Sequence, residues 1–229
     1  MNLAPFIDHT LLKPGLLLTD VEMLCHEACE HGFAAVCVPP LMVKAARSFL
    51  STATINPFAG KVKVATVIGF PFGYSAVEAK IAETVLAMVD GADELDVVIN
   101  YTAIKNNDWK LVANEINHLM PIIKSKNKTI KVIIESGMLT NDEIIKCCDL
   151  YGAAGVDFVK TSTGYAEKSA SVETVALIRK HLNDSVQIKA SGGIRDYAFA
   201  KALVEAGATR LGCSSSIAIV KGGSGEGNY

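Results

Sequence analysis

The sequence predicts a single-domain α/β fold, a closed (β/α)8 barrel, and three observations carry that expectation. Strand-like and helix-like segments alternate about eight times along 229 residues. Hydrophobic residues make up 50% of the chain, enough for one sizeable core. The first strand-like segment runs into Leu11-Leu12-Lys13-Pro14-Gly15, which is not the G-x-G-x-x-G turn that an open doubly wound sheet normally carries there. The barrel is expected over residues 1–221, followed by a flexible glycine-rich tail at 222–229.

The candidate strands are 6–10, 33–38, 62–68, 94–99, 130–136, 156–162, 186–191 and 210–214. Most are short and β-branched, as parallel strands covered on both faces should be. Between them, apolar residues recur three and four apart, the period of an amphipathic helix. One stripe is Val21, Leu24, Cys25 and Ala28, opened by Thr19 and Asp20 as capping candidates. Others are Val77, Ile81, Val85 and Met88; Leu111, Ile116, Leu119 and Met120; and Val172, Val175, Ala176 and Ile178. Gly32, Gly91, Gly152 and Gly207 each read as a helix C-cap feeding the next strand. Eight such units in this length suit a TIM barrel, whose usual size is about 250 residues.

A formal charge of −2 provides no basic stripe for bulk nucleic-acid binding. An anionic substrate would therefore be recognised locally. The six cysteines form no CxxC pair and no zinc-like Cys/His spacing, so no metal is expected. There is no basic n-region leading into a long apolar stretch, and no run of about 18 apolar residues, so neither a signal peptide nor a membrane span is expected. A reduced cytoplasmic protein is the simplest reading.

Strand parity locates the chemistry. Side chains alternate along a strand, so in a barrel one parity faces the helices and the other the interior. Leu95, Val97 and Ile99 form an apolar outward set, which sends Glu94, Asp96 and Val98 inward. By the same alternation Gln187, Lys189 and Ser191 face in, as do Ile133 and Glu135, and Phe158, Lys160 and Ser162. A single lysine in a strand is ordinarily a snorkelling surface residue. Two inward lysines on adjacent strands, with Glu94, Asp96 and Glu135 turned toward the same interior, are harder to dismiss, because a buried charge costs several kcal/mol unless it is paired or used. Glu135 is either a countercharge or part of the site. A lysine attacks a carbonyl only as the free amine, and its ordinary pKa is about 10.4. An apolar wall (Phe158) and a second ammonium (Lys189) both disfavour the charged form of Lys160.

Two loops suit a phosphate. Ser191-Gly192-Gly193-Ile194-Arg195 follows the seventh strand, and Gly212-Cys213-Ser214-Ser215-Ser216 ends the eighth and leads into a short helix-like stretch. Glycines at a βα junction let backbone amides approach an anion closely. Barrels frequently bind phosphate with these two loops.

Five segments in order, spanning nearly the whole chain, resemble the deoxyribose-phosphate aldolase family. They are Ile7-Asp8-His9-Thr10-Leu11-Leu12, Ala35-Val36-Cys37-Val38, Glu94-Leu95-Asp96-Val97-Val98, Phe158-Val159-Lys160-Thr161-Ser162-Thr163-Gly164 and Ile188-Lys189-Ala190-Ser191-Gly192-Gly193-Ile194-Arg195. The resemblance implies reversible cleavage of 2-deoxy-D-ribose 5-phosphate to D-glyceraldehyde 3-phosphate and acetaldehyde, without metal or cofactor. It implies that Lys160 is the Schiff-base nucleophile, that Lys189 tunes it, and that Asp96 relays protons through water. Thr10, Cys37 and Thr163 would lie near the substrate, and Gly164, Gly193, Ser214 and Ser215 near the phosphate. With the two glycine-serine loops, the expected phosphate set is Gly164, Gly192, Gly193, Arg195, Gly212, Ser214 and Ser215. Some family members carry a lysine directly after the serine-threonine-glycine segment to help hold phosphate, where this chain has Tyr165. Lys168 is near enough in sequence to take that part. Members also have tyrosine-ended tails, so Tyr229 is either a proton carrier reaching the barrel mouth or the end of a disordered terminus.

Two other readings fit the residues: another Schiff-base barrel of the transaldolase kind, releasing a ketone, and a non-catalytic sugar-phosphate-binding barrel. The expected partner is a small sugar phosphate. Exposed apolar helix faces leave a homodimer open.

Overall fold

Short runs of β-branched residues pair in parallel, each with the next in sequence, and the eighth closes on the first. In the computed structural model, which describes residues 1–52 and 60–225, the strands are β1 (Ile7–Thr10), β2 (Ala35–Val38), β3 (Lys63–Ile68), β4 (Glu94–Val98), β5 (Thr129–Ile133), β6 (Phe158–Lys160), β7 (Gln187–Ser191) and β8 (Arg210–Cys213). They form a closed barrel in the order β1 to β8. The helices are α1 (Leu18–His31), α2 (Val43–Thr52), α3 (Val77–Val89), α4 (Tyr101–Lys105), α5 (Trp109–Lys124), α6 (Asn141–Ala154), α7 (Val172–His181), α8 (Tyr197–Glu205) and α9 (Ser216–Val220).

The main core lies between barrel and helices. Ile7, Val36, Val64, Leu95, Val97, Val132, Val159, Ile188 and Leu211 of the strands pack there against Val21, Leu24, Val112, Leu119, Ile144, Val175 and Leu203 of the helices. A separate small cluster, Leu12, Ala35, Cys37, Ala65 and Val67 with Phe70 against it, lines the β1–β3 side of the interior. Alternation along each strand thus divides two environments, as the parity argument requires.

Several local expectations are corrected. Four strands, β4, β5, β6 and β8, end before the segments read from sequence, and β6 keeps three residues of the seven in 156–162. Gly152 lies inside α6, and Gly155, with φ 69°, is the left-handed cap; the helix continues because its apolar face still has barrel to cover. The α1 helix starts at Leu18, so Thr19 lies within it. Asp20 acts from the first turn by accepting from the Leu17 N–H at 3.0 Å. The stripe Val77, Ile81, Val85 and Met88 is not the fully buried face of α3. That face is Lys80, Thr84 and Ala87, while Val85, Leu86 and Val89 are 40%, 64% and 78% exposed.

The inner face of α3 is polar because of one ion pair. Lys80 Nζ donates to Val98 O at 2.7 Å and to Glu115 of α5, and Glu115 Oε2 accepts from the Asn100 N–H at 3.3 Å. The pair therefore ties two helices to the end of β4. Both side chains are buried, and a buried charge that loses its partner is strongly destabilising. Lys80→Met should lower the unfolding free energy by about 3–5 kcal/mol, measured in urea. The double change Lys80→Met with Glu115→Leu should recover most of that loss, and a double variant no better than the single one would show that the pair is not what is lost.

Candidate active site

Register places the charged residues at matching heights. Asp96 lies opposite Lys131, Lys160 opposite Lys189, and Lys189 opposite Arg210. Their side chains meet on the barrel axis. Asp96 Oδ2 accepts from Lys160 Nζ at 2.9 Å and from Lys189 Nζ at 2.7 Å, and its Oδ1 accepts from Lys131 Nζ at 2.7 Å. Because Lys160 and Lys189 share one oxygen, their nitrogens are no further apart than those two hydrogen bonds laid end to end.

Below them the network closes. Lys189 also donates to Asp8, and Lys131 pairs with Glu94 at 2.6 Å. Arg210 bridges Asp8 at 2.6 Å and Glu94 at 3.1 Å. Phe158 forms the apolar contact, with the Arg210 guanidinium 5.5 Å and the Lys131 ammonium 6.0 Å from its ring centre.

Charge balance in this cluster is uneven. Lys131, Lys160, Lys189 and Arg210 face the carboxylates of Asp8, Glu94 and Asp96. One cation is in excess, and in a low-dielectric interior the least-paired one gives up its proton first. Lys189 and Lys131 each contact several carboxylates; Lys160 contacts Asp96 alone. Burial pushes the Lys160 amine below the ordinary lysine range, Asp96 opposes that shift, and Lys189 adds to it. Burial also disfavours the Lys189 ammonium, but Asp8 and Asp96 outweigh it and hold Lys189 well above the ordinary value. Burial likewise works against the Asp96 carboxylate, yet the three lysines hold it well below the usual range. The interior therefore presents a lysine with weakened proton affinity beside a firmly charged one.

The other expected residues surround this pair. Thr10 lies opposite Cys37 across β1 and β2 and donates to Asp8 O at 2.8 Å. Cys37 is buried in the apolar wall, where burial raises its thiol. Thr163 donates from its hydroxyl and its N–H to Glu135. Glu135 is not an inward strand residue, since β5 ends at Ile133 and Glu135 adopts a left-handed φ of 48°. Alternation no longer applies there, and burial raises its carboxyl.

At the mouth, the β6 and β7 loops meet glycine to glycine. Gly164, Gly192 and Gly193 have φ of 95°, 86° and 73°, and a Cβ on Gly192 would sit 2.6 Å from Ser169 Oγ and 3.4 Å from Gly164 Cα. Arg195 is exposed, and its carbonyl accepts from the Gly225 N–H at 2.9 Å. Gly212 lies within β8, where a Cβ would come 3.2 Å from Lys189 Cε; its small size gives Lys189 room. Ser214 is half-buried, and Ser215 is 9% exposed with a hydroxyl that has no hydrogen-bond partner. Tyr165 packs edge-on against Phe70 at 5.4 Å and donates to Leu12 O at 3.3 Å. Lys168 is exposed. Tyr229 lies outside the described residues.

Three members of the charged cluster, Asp8, Lys131 and Arg210, escaped the sequence reading. Their signal was parity: Lys131 is two before Ile133, Asp8 two before Thr10, and Arg210 two before Gly212. Among the described residues, no group of three or more His, Cys, Asp or Glu side chains is placed to hold a metal.

Comparison with known proteins gives a consistent result. A family profile described as DeoC/LacD family aldolase matches residues 3–222. A deoxyribose-phosphate aldolase from Thermococcus gammatolerans is 47% identical over 97% of this chain and 96% of its own. One from Halalkalibacterium halodurans is 45% identical over 100% of this chain and 99% of its own. The solved tetrameric deoxyribose phosphate aldolase from Aeropyrum pernix is 32% identical, with a TM-score of 0.84 over 96% of this chain and 89% of its own.

If Lys189 holds down the proton affinity of Lys160, Lys189→Leu removes a neighbouring cation and frees Asp96 for Lys160. Both changes raise the Lys160 pKa, so the pH profile of imine trapping should move to higher pH. An unmoved profile would remove Lys189 from that role.

Proposed function

Since the chain belongs to the DeoC/LacD family of aldolases, we propose that it cleaves 2-deoxy-D-ribose 5-phosphate reversibly, as a lyase, through a Schiff base on Lys160. The carrying observation is the Lys160 amine beside Lys189 on one Asp96 oxygen.

The reaction follows from those groups. Neutral Lys160 attacks the C1 aldehyde, and the carbinolamine loses water to an iminium. Asp96 sits where it accepts and returns protons in these steps, through water. The iminium draws electrons from the C2–C3 bond as the C3 hydroxyl gives up its proton, releasing D-glyceraldehyde 3-phosphate and leaving an enamine. Protonation at C2 and hydrolysis then free acetaldehyde and regenerate the amine. Lys189 stays charged throughout and keeps Lys160 from holding its proton; a tenfold weaker hold on that proton corresponds to about 1.4 kcal/mol. The apolar wall of Leu12, Ala35, Cys37, Ala65 and Val67 suits the two-carbon donor, which carries no hydroxyl. Thr10, Cys37 and Thr163 line the substrate.

For the phosphate we assign Gly164, Gly192, Gly193, Arg195, Ser214 and Ser215 at the mouth, with Gly212 beneath. The unpartnered Ser215 hydroxyl supports this assignment, since a buried polar group without a partner is costly. The Tyr229 phenol is assigned as a proton carrier. The start of its tail runs along the phosphate loops, with an isolated bridge between Asp196 and Ser224 and Gly225 against Ser215. Residues 1–221 act as the catalytic barrel and 222–229 as its tail.

Among the described residues no helix is long and apolar enough to cross a membrane. The six cysteines are unpaired and buried, which supports a reduced cytoplasmic setting. The exposed Val85, Leu86 and Val89 on α3, with Leu41 (86% exposed) on the adjoining 3-10 turn Pro40–Met42, support a homodimer. Light scattering of the wild type and of Leu86→Lys should give a dimer and a monomer; a monomeric wild type refutes it.

Borohydride added with acetaldehyde should leave an ethyl group on Lys160, found by peptide mass spectrometry. An unmodified Lys160 would favour a sugar-phosphate-binding barrel without catalysis, and a ketone product from the cleavage would favour the transaldolase-like reading.

A further inference from the structure

On β1, side chains facing the helices belong to the apolar layer, as Ile7 does. His9 shares that parity and is 4% exposed. A polar ring there is costly unless both nitrogens find partners, and both do. Nε2 lies 2.8 Å from Glu27 Oε2 of α1, and Nδ1 lies 2.9 Å from Ser216 Oγ, the first residue of α9. The ring edge also packs on Phe33, 5.2 Å between centres.

The donors follow from the partners. A serine hydroxyl has one hydrogen to give, and that of Ser216 has two acceptors in reach, Cys213 O at 3.0 Å and His9 Nδ1 at 2.9 Å. The Glu27 carboxylate only accepts, so Nε2–H donates to it; Nδ1 then accepts the Ser216 hydroxyl hydrogen in the neutral ring, or donates to Ser216 Oγ in the imidazolium while that hydrogen goes to Cys213 O. This chain of bonds runs from α1 through β1 to the turn 213–216 and, in the imidazolium, closes that turn on itself. The turn holds Ser214 and Ser215, and the partnerless Ser215 hydroxyl is buried within it.

We propose that His9 is a positioning residue for the substrate phosphate, pinning the turn that presents Ser214 and Ser215 from behind the barrel wall. It touches no substrate. The proposal rests on the assignment of those serines to the phosphate. It predicts an effect confined to the charged end of the substrate, because the Lys160 cluster lies on the opposite face of the strands.

The test compares kcat/KM for 2-deoxyribose 5-phosphate and for unphosphorylated 2-deoxyribose in the wild type, His9→Phe, Ser216→Ala and the double variant. Each single change should cut the preference for the ester by about tenfold, through KM, and leave the rate with deoxyribose within about twofold. The double variant should lose no more than either single one, since both remove the same bond. His9→Asn, which restores a hydrogen-bonding group near the place of Nδ1, should recover part of the preference. Equal losses on both substrates would reduce His9 to a structural residue, and an unchanged preference would overturn its role outright. If His9→Phe does not fold, Ser216→Ala decides by the same criteria. A wild type that does not prefer the ester would instead overturn the phosphate assignment, and the role of His9 with it.

Discussion

The Asp96 carboxylate accepts hydrogen bonds from Lys131, Lys160 and Lys189 at once, and the rest of the interior is arranged around that sharing. A carboxylate in a dry interior is stable only beside cations, and three lysines supply more positive charge than it can satisfy. Asp8 and Glu94 take up most of the surplus through Lys189, Lys131 and Arg210. Lys160 is left with half a partner. An amine in that position is held in place by a hydrogen bond while being discouraged from keeping its proton, which is what nucleophilic attack on an aldehyde requires.

The barrel divides its interior into two unlike walls. The β1–β3 side above the charges is small and apolar, with Ala35, Cys37, Ala65 and Val67. The β4–β8 side carries the lysines, and Asp8 joins it from the foot of β1. The least-paired amine, Lys160, thus shares one interior with a wall that offers no charged group. Small residues also make space on the charged side, where Gly212 leaves the volume that Lys189 occupies.

Outside the barrel, polar pairs fix loops rather than perform chemistry. Lys80 and Glu115 brace the end of β4. Arg47 holds Gly91 O at 2.7 Å and Asp93 beside it, at the entrance to β4. Each pair satisfies backbone or carboxylate groups that would otherwise be stranded where the chain leaves a strand. The strand that carries Asp96 is thereby clamped at both ends, and the side chains of the charged cluster inherit their positions from the sheet.

Fold class, strand order and the inward placement of Asp96, Lys160 and Lys189 were legible in the amino-acid sequence by itself, because alternation along a strand and the helical period are local properties. The local pattern could not show which groups meet across the axis. Asp8, Lys131 and Arg210 have the right parity, yet their joining of one network depends on the stagger between strands of a closed barrel. Nor could it show where a strand stops, and so Glu135 was counted on a pleat it does not occupy. On α3 the apolar period marked one face, while packing buried its neighbour, because the buried Lys80–Glu115 pair took the inner side. Which apolar face meets the core, and which lysine is left short of a carboxylate, are decided only when distant segments compete for the same space and the same charges.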